Sequence, residues 1–280
     1  MWPFRQPKSL HGDVVLITGG AMGIGRLMAL EFASYGATIV VWDLNPVLGQ
    51  RVVEDLQAAG ATAAFYRVDV TDRELVFSTA RAVCKRFGGV DVLVNNAGIV
   101  SGNSIVDCDE RMVERTMAVN ATSHFWTIKA FLPAMLKKNK GHIVSIASVA
   151  GIFGCAGMVD YCASKFAAVG LMVSLRQELA STGSNVQCTL VCPSFISTGM
   201  FEGVKPPRLT TWLTPEYVAR KVVDAVRYNQ WKLVMPRQLV LFEMLMATMP
   251  DCIATWLTRW TDVGSSMKSF HQTRECTQLE

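Results

Sequence analysis

The sequence lacks several features that would assign it at once to a functional class. No apolar stretch reaches the roughly 20 residues that a helix needs to cross a bilayer, and no signal-peptide core follows Met1. Charged residues make up 18% of the chain and the net charge of +4 is evenly spread, which excludes a nucleic-acid binder. With 50% hydrophobic residues among 280, the chain is too apolar to be disordered and can bury a large core.

Cysteine and histidine occur without the spacing of a disulfide framework or a metal site. The eight cysteines include no Cys-x-x-Cys pair, and the four histidines are scattered along the chain. We therefore expect reduced thiols in a cytosol-facing protein, and no bound metal.

Short apolar runs alternate with helical stretches over most of the chain. Continuous apolar strands separated by helices favour a parallel sheet covered on both faces, and right-handed crossovers make it a doubly wound α/β sheet of the Rossmann type. The predicted strands are 14–17, 38–42, 63–68, 90–94, 142–146, 186–191 and 232–235. The predicted helices are 24–35, 47–59, 73–87, 110–137 and 160–180. Because no linker is visible, we predict a single domain over 12–236, with an N-terminal segment 1–11 and an apolar helical extension with a polar tail over 237–280.

A glycine-rich segment, Thr18-Gly19-Gly20-Ala21-Met22-Gly23-Ile24-Gly25, lies between the first strand and the first helix. Glycines allow a tight turn and bring a pyrophosphate close to the N–H groups of the helix N-terminus, where the helix dipole favours anions. The spacing Gly-x-x-x-Gly-x-Gly differs from the more widely known Gly-x-Gly-x-x-Gly. An ordinary tight turn is the alternative, but the position between strand and helix favours dinucleotide binding.

Asp43 at the end of the second strand predicts which dinucleotide is bound. A carboxylate there can accept hydrogen bonds from both hydroxyls of the adenosine ribose and would repel a 2′-phosphate. Leu44 and Met22 supply no cation for such a phosphate, and Arg26 is expected to face along its helix. The combination predicts NAD rather than NADP, although Asp43 alone could be a strand-end turn residue.

Two further strand ends carry residues suited to the same ligand. Asp69, taken to end the third strand, is placed to accept from an adenine amino group, with a turn residue as the alternative. Asn95-Asn96-Ala97-Gly98 ends the fourth strand, where an open α/β sheet presents its loops to a ligand. The small residues there would let the backbone approach the nicotinamide ribose.

Tyr161 and Lys165 open a predicted helix and share one of its faces. A tyrosine with a pKa of about 10 is a poor base at neutral pH, but a nearby ammonium and a positive nicotinamide ring favour the phenolate and lower that pKa. Tyr161 would then take the proton of an alcohol while a hydride leaves for the cofactor. Alone, Tyr-x-x-x-Lys is common on ordinary helices.

Ser148 strengthens the catalytic interpretation because it ends the fifth strand at the ligand edge, 13 residues before Tyr161. Its hydroxyl can hold a substrate oxygen. Ser145 is the competing serine, but it lies inside the strand. Asn120 is a poor helix former within a predicted helix. Its side chain is expected to hold a water that links Lys165 to solvent, with a tolerated polar residue as the alternative.

In order and spacing, these motifs resemble the short-chain dehydrogenase/reductase family over about residues 12–236. The resemblance implies a catalytic tetrad of Asn120, Ser148, Tyr161 and Lys165, in which Tyr161 is the general acid/base and Ser148 and Tyr161 bind the substrate. It also implies homodimers or homotetramers packed through the helices that carry Asn120 and Tyr161. One departure is Pro193-Ser194 where the family usually has Pro-Gly, which is tolerable if Ser194 has a negative φ.

The same resemblance completes the predicted NAD site, with Thr198 at the position that binds the carboxamide. The residues assigned to NAD are Thr18, Gly19, Met22, Gly23, Ile24, Gly25, Asp43, Leu44, Asp69, Val70, Asn96, Ala97, Gly98, Tyr161, Lys165, Pro193, Ile196 and Thr198.

Three further segments resemble one branch of the family, which contains epidermal retinol dehydrogenases and membrane-bound 17β-hydroxysteroid dehydrogenases. They are 130–135, 160–166 and the segment 195–203 after Pro193, and Trp42-Asp43 is closest to the retinol dehydrogenases. The branch implies oxidation of a hydrophobic alcohol, chiefly all-trans-retinol to retinal. The alternatives are a 17β-hydroxysteroid or another lipid alcohol, and a non-enzymatic NAD-binding scaffold at a lipid surface. Apolar residues expected to surround the substrate are Phe153, Met158, Met200, Phe201 and Trp212.

The chain is unusually hydrophobic for a soluble protein, and much of this excess lies in the C-terminal part. Residues 239–249 contain one charged residue, Glu243, and are too few to span a bilayer. Trp256 and Trp260 beside Arg259 suit a membrane interface, where indole rings lie at the level of the headgroups. The alternative is a helix that covers the substrate pocket or a partner subunit.

The N-terminal residues 1–10 carry Pro3 and Pro7 instead of the hydrophobic anchor of retinoid-type relatives. Either such an anchor has been removed or the C-terminal segment makes the attachment. The resemblance implies a position at the endoplasmic reticulum or lipid-droplet surface.

Overall fold

Seven parallel strands form one sheet in this computed structural model, which describes residues 6–201, 203–207, 210–260 and 267. At residues 251, 254 and 258–260 only the backbone is described. The strands are β1 (Val14–Thr18), β2 (Thr38–Asp43), β3 (Ala63–Arg67), β4 (Val92–Asn95), β5 (His142–Ile146), β6 (Gln187–Pro193) and β7 (Lys232–Met235). Their spatial order is β3-β2-β1-β4-β5-β6-β7. The predicted doubly wound sheet is therefore confirmed.

Helices cover both faces of this sheet. They are α1 (Gly23–Ser34), α2 (Pro46–Ala58), α3 (Arg73–Phe87), α4 (Glu110–Met117), α5 (Ser123–Lys138), α6 (Val159–Ser181), α7 (Pro215–Arg227), α8 (Gln238–Thr248) and α9 (Asp251–Trp260). One core lies under α1, α2 and α7, and a second lies under α3, α5 and α6. The strands are mostly apolar because both faces of the sheet are buried.

Local sequence explains several of the helix ends. The side chains of Asn45 and Asp72 cap α2 and α3 by accepting from backbone N–H groups of the first turn, and Pro46 begins α2. Gly88 ends α3 in the left-handed conformation that a glycine adopts without strain. Such signals fix where each helix begins or ends relative to the strand beside it.

The structure corrects the sequence prediction in three places. The long helix expected over 110–137 is interrupted by a π-helical turn, Ala118–Thr122, between α4 and α5. The helix α7 was missed, although Thr214 caps it and Pro215 begins it. β3 ends at Arg67, so Asp69 lies beyond the strand rather than at its end.

The ends of the chain pack differently from each other. Leu10 is buried in the core, and the backbone N–H of Lys8 donates to the carbonyl of Arg227 at 2.8 Å, so the described part of the N-terminal segment joins the domain. Beyond β7, α8 and α9 form the predicted helical extension. Among the described helices, none combines the length and apolarity that crossing a membrane requires.

Candidate active site

The glycine loop between β1 and α1 is fixed by the segment that follows β4. Nδ2 of Asn96 donates to the carbonyls of Thr18 and Gly19, both at 2.9 Å, and Oγ1 of Thr18 accepts from the backbone N–H groups of Asn96 and Ala97. A Cβ on Gly25 would lie 2.0 Å from the carbonyl oxygen of Gly19. Glycine is therefore required at Gly25 by the close approach of the backbone.

The N-terminus of α1 is open to an anion. Met22 is the N-cap residue, with no side-chain cap bond within the described part of the chain, and the first turn contains no acidic residue. Thr198 approaches from the opposite side, since its Cγ2 would lie 3.8 Å from a Cβ built on Gly23. A cradle that side chains would fill, at an uncapped helix N-terminus, fits the pyrophosphate of a dinucleotide.

Asp43 lies beside this loop and is oriented by the backbone. Its Oδ2 accepts from the N–H of Ala21 and its Oδ1 accepts from the N–H of Asn45, both at 3.0 Å. Arg26 of α1 forms an ion pair with Asp55 on the separate helix α2 at 2.9 Å. A carboxylate next to the glycine loop, with the nearest arginine paired elsewhere, disfavours a 2′-phosphate.

Other residues assigned to NAD lie at the same edge of the sheet, but fewer contacts indicate their roles. Oδ1 of Asp69 accepts from the N–H and the hydroxyl of Thr71, as in a turn. The contact of Asp69 with adenine stays a prediction. The contact of the buried Val70 with NAD also stays a prediction. Leu44 follows β2, Pro193 ends β6, and Ile196 bridges to Leu213.

Tyr161 and Lys165 lie on one face of α6, as predicted. Nζ of Lys165 is 5.6 Å from the centre of the Tyr161 ring and donates to the carbonyl of Ile146 at 3.0 Å. Ser148 follows β5, where its Oγ accepts from the N–H of Ala150 at 3.1 Å. A Cβ on Gly98 would lie 3.5 Å from Nζ of Lys165, which places the end of β4 against the same group.

The ionisation of Tyr161 reflects its burial. Burial raises the pKa of the Tyr161 phenol above its usual value, and a hydrogen bond with the Ser148 side chain opposes the rise only in part. Burial also lowers the pKa of Lys165 to about 8. The lowering expected for Tyr161 combines the ammonium with the positive nicotinamide ring, so it stays a prediction for the protein with NAD bound.

Asn120 makes protein contacts that the sequence did not indicate. It lies in the π-helical turn, where its Oδ1 accepts from the N–H of Ile99 at 2.8 Å and its Nδ2 donates to the carbonyl of Ile99 and to Oγ of Ser164. Both amide hydrogens are thus bound to protein groups. The side chain positions the loop after β4, and its contact to a water stays a prediction.

The backbone accommodates Ser194, the departure from the family pattern, while its buried Oγ has no hydrogen-bond partner among the described residues. Its φ is not among the positive values of the described residues, and its N–H donates to the carbonyl of Met235 at 2.8 Å. The negative φ that the substitution requires is therefore present.

Comparison with known proteins agrees with this geometry. The family model for short chain dehydrogenase matches residues 13–208. The chain belongs to the short-chain dehydrogenase family.

Curated relatives and a solved structure are similar over most of the chain. Epidermal retinol dehydrogenase 2 of Mus musculus is 44% identical over 87% of this chain and 80% of its own length. Short-chain dehydrogenase/reductase family 16C member 6 of Bos taurus is 46% identical over 83% of this chain and 75% of its own length. A crystal structure of a short-chain dehydrogenase/reductase from Burkholderia phymatum in complex with NAD is 29% identical, covers 86% of this chain and 94% of that one, and has a TM-score of 0.79.

An open pocket of this short-chain dehydrogenase has Ser148 and Tyr161 in its wall. Aromatic rings form much of the remaining wall and contact one another. Phe201 packs edge-on against Tyr161 at 5.9 Å and against Phe195 at 5.3 Å, and Phe153 contacts Phe242 at 5.3 Å. Hydroxyl groups in an otherwise apolar cavity suit a hydrophobic molecule with one reacting oxygen.

The pocket contains only part of the set expected from sequence. Phe153, Met158 and Phe201 line it, whereas Met200 and Trp212 are not among its described lining residues. Trp212 packs behind Phe195 at 5.9 Å, and Met200 is exposed. Phe195, Leu239 and Phe242 were not predicted to line it. For the last two, the signal was the apolar C-terminal segment, whose alternative reading as a pocket cover is correct for α8.

Proposed function

We propose that this short-chain dehydrogenase oxidises a hydrophobic alcohol to its carbonyl compound, with all-trans-retinol as the first candidate substrate and Tyr161 as the general base. It is an NAD-dependent oxidoreductase by family, and a similar structure was solved in complex with NAD. The observation that carries the substrate class is the placement of the Ser148 and Tyr161 hydroxyls in the wall of an aromatic pocket.

In this mechanism the chain's own residues orient the alcohol and move its proton. Ser148 would donate a hydrogen bond to the substrate oxygen, and Tyr161 would take the hydroxyl proton on its phenolate oxygen. The glycine loop 18–25, Asp43 and the segment 96–98 would hold NAD, which would supply the hydride acceptor for the carbinol carbon and a positive ring that favours the phenolate. Lys165 adds a second positive charge at the same phenol, and together these charges must overcome the burial that raises the pKa of Tyr161.

The choice of retinol is supported by the names of similar proteins and by the pocket. A relative 44% identical to this chain is an epidermal retinol dehydrogenase. A long apolar chain can lie against the rings of Phe153, Phe201 and Phe242. A 17β-hydroxysteroid or another lipid alcohol is the second candidate, since it presents the same chemistry to Ser148 and Tyr161.

A substrate panel tests this proposal. Specificity constants for all-trans-retinol, estradiol and a fatty alcohol are measured with NAD and with NADP, and Tyr161→Phe is the control. We expect turnover to be fastest for retinol with NAD and to fall at least about 100-fold in Tyr161→Phe. Equal rates for both proteins would refute the catalytic role. NAD binding without turnover of any alcohol would favour the scaffold alternative.

We also propose that α8 and α9 contact a lipid surface, at the endoplasmic reticulum or a lipid droplet. On α8, Leu241 is 71% exposed and Met244 is 64% exposed, and on α9 Trp256 is 62% exposed. Glu243, the one acidic residue of α8, is paired with Lys232. An exposed apolar face on α8, whose one acid is paired, bordered by an indole ring of α9, fits an interfacial helix. The side chains of Arg259 and Trp260 lie outside the described part.

Vesicle flotation tests the lipid contact. The double variant Leu241→Ser/Met244→Ser should lose most of its binding to phosphatidylcholine vesicles. Val47→Ser is the matched control, because Val47 is 75% exposed on α2, away from this patch. Equal flotation of both variants would refute the contact.

Homodimers or homotetramers are proposed through the outer faces of α5 and α6. Phe166 and Val173 on α6 and Phe125 on α5 are exposed apolar residues there. Light scattering of Phe166→Arg should give the monomer mass. An unchanged mass would exclude this face as the interface.

A further inference from the structure

A buried polar cluster lies behind Lys165, where the carboxyl ends of β4 and β5 meet α5. It consists of Asn95, His124, Thr127 and Ser145, all buried. Oγ of Ser145 lies 3.1 Å from Nδ1 of His124, and the hydroxyl of Thr127 donates to Oδ1 of Asn95 at 2.7 Å. Asn95 and Ser145 are partners in the register of β4 and β5, so the four side chains form one connected group.

Two nitrogen atoms of this cluster lack a partner. Nδ2 of Asn95 and Nε2 of His124 make no hydrogen bond to any residue that the structure describes. The amide nitrogen needs an acceptor, and Nε2 is a donor or an acceptor according to the tautomer. Buried polar atoms are nearly always bonded to protein or to ordered water. When Nδ1 of His124 carries the proton and donates to Ser145, a single water can accept from Nδ2 of Asn95 and donate to Nε2 of His124, which leaves it one lone pair for a further donor.

Lys165 lies next to this cluster. Its Nζ donates to the carbonyl of Ile146, the residue after Ser145 on β5. Burial, and then the positive charge of Lys165, lowers the pKa of His124 to about 3. The imidazole is therefore neutral at physiological pH, and it can bond to a water without placing a second cation beside the ammonium.

The other groups that face Lys165 do not take this role. Burial raises the pKa of Cys192 on β6 to about 12, so its thiol is neutral. Tyr161 lies one helical turn earlier on α6 and faces the substrate pocket. The side chain of Asn120 is bound to Ile99 and Ser164.

We propose that His124 and Asn95 bind an internal water beside Lys165, and that His124 thereby acts as a positioning residue for the lysine. The inference rests on the proposed function, because it takes Lys165 to act on Tyr161. The ammonium has three hydrogens, and the carbonyl of Ile146 accepts one of them. The water gives a second hydrogen an acceptor inside the protein. Without it Lys165 is less hydrated, loses its proton more readily and favours the Tyr161 phenolate less.

Two amide variants of His124 distinguish this role from a structural one. The amide of glutamine reaches the position of Nε2, whereas that of asparagine reaches only the position of Nδ1. His124→Gln should therefore keep the water, and His124→Asn should keep the bond to Ser145 and lose the water. The ionisation of Tyr161 is followed in the full chain, saturated with NAD, by the ultraviolet absorbance of phenolate relative to Tyr161→Phe.

We expect His124→Asn to raise the pKa of Tyr161 by about half to one pH unit and His124→Gln to leave it unchanged. The acid limb of kcat against pH should move by the same amount, with KM for NAD unaffected. A shift in His124→Gln as large as in His124→Asn, or no shift in either, would overturn the inference.

A second perturbation and a control complete the test. Thr127→Val removes the hydroxyl that orients Asn95 and should shift the same pKa in the same direction; no shift would count against the water. His142→Asn is the control, because both ring nitrogens of His142 have partners in Lys8 and Thr189. A shift in His142→Asn equal to that in His124→Asn would overturn the inference. Since the titration needs no alcohol, a failure of turnover would refute the proposed function separately.

Discussion

The two sides of the candidate active site are built in different ways. The proposed cofactor side, residues 18–25 with 96–98, is held by hydrogen bonds between the side chains of Thr18 and Asn96 and the backbone, and its Gly19 and Gly25 leave no room for a side chain. The substrate side, formed by Phe153, Phe195, Phe201, Leu239 and Phe242, is held by contacts between rings and by a helix with an exposed outer face.

This difference explains what each side can tolerate. Backbone contacts fix positions to a fraction of an ångström, which suits a ligand of constant shape such as a dinucleotide. Ring contacts allow side chains to repack, so the substrate side can change its shape with modest loss of stability. We therefore expect substitutions to have larger effects on the cofactor side.

The largest effect is expected for Gly25→Ala. The added carbon would lie 2.0 Å from the carbonyl of Gly19, so the glycine loop must move. NAD affinity, measured by calorimetry, should fall more than about 100-fold, because the anion site loses its geometry. Gly154→Ala is the matched control on the substrate side, where nothing lies within 4 Å of the added carbon. Equal losses in both variants would contradict the comparison.

The cofactor side was also the part most accessible from sequence. Gly19, Gly23 and Gly25 could be read because glycine spacing between a strand and a helix has few other uses, and Asp43 because it ends a buried strand. The order of strands and helices followed from continuous apolar runs, whose meaning does not depend on tertiary contacts.

The rest depends on tertiary contacts that no local pattern contains. Nothing near Asn120 distinguishes a π-helical turn from regular helix, and its partner Ile99 is distant in sequence. The raised pKa of Tyr161 results from burial by residues of other segments. By contrast, α7 could have been predicted from Thr214 and Pro215. On the substrate side, no local pattern indicates which aromatic rings converge.

Asp43→Ala should give the second largest effect. Without the carboxylate that accepts hydrogen bonds from the ribose hydroxyls, the affinity for NAD should fall about 30-fold. The preference for NAD over NADP should become smaller. Dissociation constants for both cofactors, measured by fluorescence titration, check this expectation. Glu54→Ala on α2 removes an equal charge from the same region and should change neither of the two dissociation constants. A wild-type preference for NADP would overturn the assignment of Asp43.

A smaller effect is expected for Phe242→Ala on the substrate side. Loss of the ring that contacts Phe153 at 5.3 Å removes apolar area from the pocket and should raise KM for retinol about tenfold in detergent. KM for NAD should not change. Leu241→Ala, the adjacent residue with an exposed side chain, should leave both values unchanged under the same conditions. A change in NAD binding by Phe242→Ala would show that the two sides are not independent.

Mild acid probes the same comparison without a substitution, and it should have the smallest effect. His124 on α5 and His142 in β5 are both buried, and burial lowers the pKa of each, to about 3 for His124. Below the unfolded pKa of about 6.5, the unfolded chain binds protons that the folded chain does not, so the free energy of unfolding decreases as the pH falls. Between pH 7 and 5.5, His124 alone should account for about 1 kcal/mol. Urea unfolding should show the loss by near- and far-ultraviolet circular dichroism together, and it should be smaller in His124→Gln. The described lining of the pocket contains no histidine. If acid first reduces only the near-ultraviolet signal of the aromatic rings, the acid-sensitive part of the protein is the substrate side instead.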